Sequence, residues 1–328
     1  MGRKHLHFSR LKHALLIQHL QCPDPSIHFS TNLSRTITAV AWSPDSKYLL
    51  INLGYDKKNP CYTPTVKLID VQSGEIVFKK HYMKNGDNFH ANAVCWFPDS
   101  KRFLTAVEGV YCIWDLNGNV IREYPVNNEL TGLHLTAIPG TEKFIINTFD
   151  TIEIISFDDT VSTKLLDRNI CTKFSMTVSN DGAYLAVTLR GEKCVDRPAQ
   201  IALYDLKSMT FLRFFEAETY IDEAFVIVPT FVGPNMELLC AGSENGKLHY
   251  WDIETGELVS VLEEHSLHVG GVSANPGHPG MVASCSDDSL VIIWATKQLQ
   301  RELKEDDDKW MREHPAVAMP TVNIKKGW

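Results

Sequence analysis

The sequence predicts an all-β chain assembled from repeated four-stranded units, and three observations carry that prediction. A dipeptide closing an apolar run recurs as Ile69-Asp70, Trp114-Asp115, Phe157-Asp158, Tyr204-Asp205, Trp251-Asp252 and Trp294-Ala295, in steps of 45, 43, 47, 47 and 43 residues. A turn precedes each of these pairs: Ser43-Pro44-Asp45, Phe97-Pro98-Asp99, Ile138-Pro139-Gly140, Ser179-Asn180-Asp181, Val232-Gly233-Pro234 and Asn275-Pro276-Gly277. Their residues preset φ or bond their own backbone. Between the turns run short β-rich stretches such as TITAVAW, KYLLINL and TVKLID, bounded by turn chemistry as strands are.

A period of about 40 to 45 residues is that of a β-propeller blade. Six units stand in phase over residues 36 to 295, so six blades are favoured. The last unit supplies three strands, near Val269 to Ala274, Met281 to Ser286 and Leu290 to Ala295. Ser26 to Thr31 could give its fourth, closing a ring and removing both exposed edges. Seven blades would follow if parts of residues 1 to 25 and 315 to 325 paired as an extra one. The expected division is an N-terminal helical segment at 1–25, a propeller at 26–295 and a helical or irregular tail at 296–328.

With 328 residues, 44% hydrophobic and 22% charged, the chain can bury a large core. Its net charge of −8 argues against nucleic acid as a partner, because phosphate binding needs Lys and Arg gathered on one face. The eight cysteines include no CxxC and no close pair, as expected for buried thiols in a reducing compartment. The expected location is the cytoplasm, with the nucleus as a second site. The only apolar run near the start, Ala14 to Ile17, is too short for a signal peptide or membrane span.

A search for chemistry finds no Ser or Cys nucleophile with a nearby base, no GxSxG elbow and no metal-ligand spacing, so no catalytic residue, metal or cofactor is expected. His265, His268 and His278 share one short stretch. The simplest reading makes His265 structural and leaves the other two lining a loop.

The best-formed unit, CSDDSLVIIW at Cys285 to Trp294 with Glu264-His265 ahead of it, resembles a WD repeat. That resemblance implies a buried hydrogen-bonded chain of His265, Ser284, Asp288 and Trp294, in which a buried carboxylate is tolerable because its oxygens are bonded. Asn245 stands where another unit would carry the Asp. The pieces AWSPDSKYLLINL, VQSGEIVF, WFPDSKRFLTAVEGVYCIWDLNGNVI, FSMTVSNDGAYLAV, LLCAGSENGKLHYWD and GGVSANPGHPGMVASCSDDSLVIIW resemble, in order, the propeller of WD-repeat subunits of GID/CTLH ubiquitin ligases. LKHALLIQHLQC resembles the helix before that propeller. The family's LisH and CTLH modules have no counterpart in these 328 residues, and no first blade fits between Cys22 and Ile27. The resemblance implies a non-catalytic scaffold that recruits substrates or joins ligase subunits. Without a paired Cys set for a zinc-bound RING, such a role is that of receptor or scaffold. A different WD scaffold, in vesicle traffic or RNA processing, is the alternative.

Two long insertions fall at the same position in their units: Gly54 to Pro64, and Arg190 to Pro198. The up-and-down order of a blade sends both to one rim, which receives Lys57, Lys58, Arg190, Lys193 and Arg197 as candidate partner-binding cations. Residues 296 to 314 read as a helix with Leu299, Leu303, Trp310 and Met311 loosely on one side. Trp310 is its candidate anchor.

Overall fold

The computed structural model describes residues 6–11, 14–19, 27–32, 37–53, 65–81, 93–107, 110–125, 134–147, 152–157, 162–166, 173–190, 198–275, 278, 280–296 and 324–326. Among them every regular element is a strand. Six four-stranded sheets follow one another along the chain. The first holds Ile37–Trp42, Tyr48–Leu53, Thr65–Asp70 and Ile76–His81. The second holds Ala93–Trp96, Arg102–Val107, Val110–Asp115 and Val120–Pro125. The third holds His134–Ala137, Lys143–Asn147, Ile152–Ser156 and Ser162–Leu166. The fourth holds Lys173–Val178, Tyr184–Leu189, Gln200–Asp205 and Thr210–Phe215. The fifth holds Thr230–Val232, Leu238–Gly242, Lys247–Asp252 and Leu258–Glu263. The sixth takes Val269–Ala274, Met281–Ser286 and Val291–Ala295, with Ile324–Lys326 at its edge.

The recurrent turns have a common physical cause. In the first and fourth units a serine hydroxyl donates to an aspartate two residues on, Ser43 to Asp45 at 2.7 Å and Ser179 to Asp181 at 2.5 Å. The same hydroxyl accepts the N–H that opens the next strand, from Tyr48 or Tyr184, both at 2.9 Å. The turn's fourth residue sits at positive φ: Ser46, Ser100, Gly182 and Met236. In the first, fourth and fifth units the aspartate of the closing dipeptide caps the following hairpin. Asp70, Asp205 and Asp252 accept the N–H of Ser73, Ser208 and Thr255 at 2.8, 2.6 and 2.7 Å. The repeat read from sequence is therefore a repeat of side-chain-to-backbone bonds.

By packing, the chain divides into two compact units, one of residues 32–189 and 204–212, the other of 1–31, 190–203 and 213–328. In the first, Leu50, Val66 and Leu68 pack on Val94, Trp96, Phe103, Cys112 and Trp114 of the next sheet. That sheet's other face packs Phe97, Leu104, Tyr111 and Ile113 on Leu135, Phe144, Ile146 and Ile155. In the second unit, Val232, Cys240, Leu248 and Tyr250 pack on Val269, Val272, Val282, Ile292 and Trp294. A Cβ on Gly242 would lie 2.2 Å from the Val269 carbonyl oxygen, so this seam needs glycine.

The chain termini correct the sequence reading. The expected helix within 1–25 is instead a hairpin: Leu6–Leu11 pairs antiparallel with Ala14–His19, Leu6 opposite His19 and Leu11 opposite Ala14. Ile27–Asn32 completes a three-stranded sheet with them and does not join the last unit. The apolar run is short enough to fit strand or helix, and a neighbouring strand that completes the backbone hydrogen bonds decides between them. The edge of the last sheet is taken by Ile324–Lys326, running parallel with Ile293 opposite Ile324. The helix expected at 296–314, with Trp310, lies outside the described residues.

Candidate functional site

In the second unit the sixth sheet brings together all four residues of the expected structural chain. Ser284 and Trp294 lie on adjacent strands, His265 in the connection entering the sheet and Asp288 in the turn between strands. Trp294 Nε1–H donates to Ser284 Oγ at 2.8 Å. Ser284 Oγ and His265 Nε2 are 2.8 Å apart, and His265 Nδ1 lies 2.9 Å from Asp288 Oδ2. With a neutral imidazole the proton order follows from valence: the carboxylate accepts from Nδ1–H, so Nε2 accepts the Ser284 O–H, whose oxygen accepts the indole N–H. Asp288 also accepts the N–H of Ser266 at 3.1 Å and of Leu290 at 2.9 Å. Burial opposes its charge, but the Leu290 N–H, His265 and the Ser266 N–H together hold its pKa below the usual carboxylate value.

These contacts order a serine, a histidine and a carboxylate as in a hydrolytic triad. Ser284 is 1% exposed, however, and its oxygen already holds the indole proton. A nucleophile needs a path to substrate, so the arrangement can hold the sheet together and cannot attack a carbonyl. The second sheet repeats part of it, with Trp114 Nε1–H donating to buried Thr105 Oγ1 at 2.9 Å. In the fifth sheet Trp251 donates instead to the Glu216 carbonyl at 3.1 Å, and His249 Nε2 lies 2.9 Å from Thr219 Oγ1.

The three nearby histidines do not converge. His265 is held as above, whereas His268 Nδ1 meets Asp287 Oδ2 at 3.0 Å and its ring stacks on Phe225 with centroids 4.3 Å apart. Among the described residues no group of three His, Cys, Asp or Glu side chains is placed to hold a metal ion. Burial raises the thiols of Cys95 and Cys240 to about 12, which keeps them protonated. Cys285 is exposed, contrary to the expectation that the thiols are buried. No helix among the described residues is long and apolar enough to cross a membrane.

Of the expected cationic rim, Lys57, Lys58, Lys193 and Arg197 lie outside the described residues. Arg190 is described, and its guanidinium turns inward: Nη2 donates to the Phe225 carbonyl at 3.3 Å, and its charge acts on Asp222 and Glu244.

Sequence reasoning missed this second polar centre. The connection at residues 216–229 is fastened to the turn after Leu238–Gly242. Ile221 N–H donates to Ser243 Oγ at 2.9 Å, while that hydroxyl donates to the Ile221 carbonyl at 3.2 Å. Glu244 Oε1 accepts three successive backbone N–H groups, from Glu223, Ala224 and Phe225, at 2.6, 2.5 and 3.0 Å. Asp222 is fully buried. Burial drives its pKa up to about 7, with Glu244 adding to the rise and Arg190 and the Tyr220 hydroxyl opposing it. The sequence signal was the length of this connection and its run of alternating apolar and acidic residues.

Comparison with known proteins adds to this geometry. The family profile "WD domain, G-beta repeat" matches residues 256–295, the stretch that contains His265, Ser284, Asp288 and Trp294. A WD repeat-containing protein WDS homolog of Arabidopsis thaliana is 28% identical over 263 residues, 79% of this chain and 46% of that protein. A WD repeat-containing protein 26 homolog of the same plant is 25% identical over 271 residues, 82% of this chain and 42% of that protein. GID complex subunit 7 of Schizosaccharomyces pombe is 29% identical over 223 residues, 65% of this chain and 41% of that protein. The chain thus spans less than half the length of these relatives.

Proposed function

We propose that this WD-repeat chain is a non-catalytic protein-interaction scaffold, and that it works as a substrate-recruiting or assembly subunit of a GID/CTLH-type ubiquitin ligase. The observation that carries the scaffold reading is the state of its most reaction-like cluster. Ser284, His265, Asp288 and Trp294 satisfy one another in a closed interior chain, leaving the connections between strands as the chemically available surface. Function in such a fold resides in loops placed by rigid sheets. The ligase reading is supported by the likeness to GID complex subunit 7 and by the order of motifs from AWSPDSKYLLINL to VASCSDDSLVIIW. Its partners are then other ligase subunits and their substrates, met in the cytoplasm or nucleus. The loops bearing Lys57, Lys58, Lys193 and Arg197, and the tail with Trp310, are proposed as further contact points.

Affinity purification of the tagged chain with quantitative mass spectrometry tests the ligase reading. Co-enrichment of CTLH-type subunits is the expected result. Recovery of vesicle-coat or RNA-processing factors without those subunits would assign the scaffold to another assembly.

A further inference from the structure

The connection at residues 216–229 holds large apolar side chains in solvent. Phe225 is 47% exposed and Val226 51%, and on the adjoining connection Leu267 is 52% exposed. The two connections are joined through His268, whose ring stacks on Phe225. Val228 N–H donates to the Gly270 carbonyl at 3.2 Å, and Val228 forms an isolated parallel bridge with Gly271. Ser286 Oγ donates to the Leu267 carbonyl at 3.0 Å, and Asp287 N–H to the His268 carbonyl at 3.2 Å. Phe225 thus stacks on His268, and Val226 and Leu267 are the next residues to these two along the joined connections.

This surface is held open by polar groups beneath it. The three N–H groups of Glu223, Ala224 and Phe225 converge on one carboxylate oxygen of Glu244, and Arg190 holds the Phe225 carbonyl. Burial opposes the charge on Glu244, but those N–H groups and Arg190 keep its pKa lowered. Anchoring at both backbone polarities fixes the loop with its aromatic ring outward, so little ordering entropy remains to be lost on binding. Exposed and pre-ordered apolar side chains on two joined connections mark an interaction surface.

The charges around it select the occupant. Glu223 lies two residues before Phe225, and Asp287, 56% exposed at its side chain, meets His268, whose ring stacks on Phe225. Of the cations among the described residues here, Arg190 donates to the Phe225 carbonyl, and Lys247 is paired with Glu263 at 2.5 Å. Among the described residues this surface is therefore apolar with acidic groups beside it.

Resting on the scaffold reading above, we propose that this patch docks a protein segment in which an aliphatic or aromatic residue adjoins an Arg or Lys. The apolar residue packs among Phe225, Val226 and Leu267, while the cation meets Asp287 or Glu223. Charge of this kind sets partner choice and association rate, and the apolar contact sets residence time.

The test is a random-peptide display selection on the whole purified chain, followed by binding measurements with the enriched peptide. Enrichment of an apolar residue beside Arg or Lys is expected. Phe225→Ser with Leu267→Ser should then weaken the peptide by about tenfold or more, and Asp287→Lys with Glu223→Lys should mainly slow its association. Melting curves check that each variant is folded, and Asp287→Lys alone serves if the apolar pair fails to fold. Enrichment of acidic motifs, no enrichment, or binding indifferent to both variants would overturn the proposal. A chain dimer that Phe225→Ser dissolves would also overturn it, by making the patch a self-association surface. Co-purification of ligase subunits stands apart from these outcomes, so failure of the patch and failure of the ligase reading are distinguishable.

Discussion

Replacing Ser284 by Ala removes one oxygen and strands two polar groups. Trp294 Nε1 and His265 Nε2 both meet that oxygen at 2.8 Å. Ser284 and Trp294 are 1% and 2% exposed, so water has no ready access to replace it. A buried polar group left unsatisfied costs about 1 to 3 kcal/mol, which puts Ser284→Ala at about 2 to 6 kcal/mol for the two. Trp294→Phe removes the indole donor itself. In the Ser284→Ala background that change should cost less than in the parent, because the stranded donor goes with it. The expected coupling is about 1 to 2 kcal/mol, within the range for groups in one hydrogen-bond network. Denaturant unfolding of the four proteins measures it, with Ser286→Ala as the comparison because its hydroxyl meets only backbone groups, the exposed Leu267 carbonyl and the Asp288 N–H. Additive effects, or a Ser284→Ala loss equal to that of Ser286→Ala, would refute the closed-chain account.

Four further outcomes follow from the same geometry. Asp288→Ala should destabilise by about 1 to 3 kcal/mol, whereas Asp287→Ala, which loses a mostly exposed pair with His268, should cost under about 1 kcal/mol in the same unfolding assay. Asp222 holds its proton to about 7 when folded and to 3.8 when unfolded, so its contribution is full below 3.8 and lost as pH rises through 7; Asp222→Asn should gain up to about 4 kcal/mol over the parent at pH 8 and little at pH 4, read from melts at both. Burial lowers His134 and His249 to about 4; the unfolded chain binds more protons from 6.5 down to 4, so their stabilisation is present above 6.5 and lost across that window. His249→Gln should therefore flatten the acid limb of stability against pH. Gly246→Ala should destabilise by about 1 to 3 kcal/mol, because Gly246 has φ of +83° and a Cβ would lie 2.3 Å from the His265 carbonyl oxygen; a circular-dichroism melt reads it.

The parts legible in the sequence were those that each unit repeats. Asp70, Asp205 and Asp252 cap the same hairpin turn, so one local requirement wrote one signature several times. Each of the six units read from that signature coincides with a four-stranded sheet, while the three-stranded sheet of Leu6–Leu11, Ala14–His19 and Ile27–Asn32 carries no such signature. His265, Ser284, Asp288 and Trp294 were legible only through the resemblance of CSDDSLVIIW to a WD repeat, which implies their chain of bonds. What stayed hidden depends on segments that meet without a local signal. The hairpin of Leu6–Leu11 with Ala14–His19 reads as a helix until its partner strand is considered. Ile324–Lys326 reaches the last sheet from far along the chain. Arg190 appeared as a rim cation because its loop is long, but its direction is set by a carbonyl 35 residues away at Phe225. The Glu244 clamp was missed for the same reason, because it joins a turn to a connection that has no place in the repeat.

The proposed ligase role is tested most directly with purified components. The chain is titrated into a reconstituted GID complex lacking its subunit 7, and particle masses are measured by mass photometry. The account predicts a saturable gain equal to the mass of added chain, retained in Ser284→Ala at temperatures where that variant is folded. An unchanged mass distribution at saturating chain would contradict it.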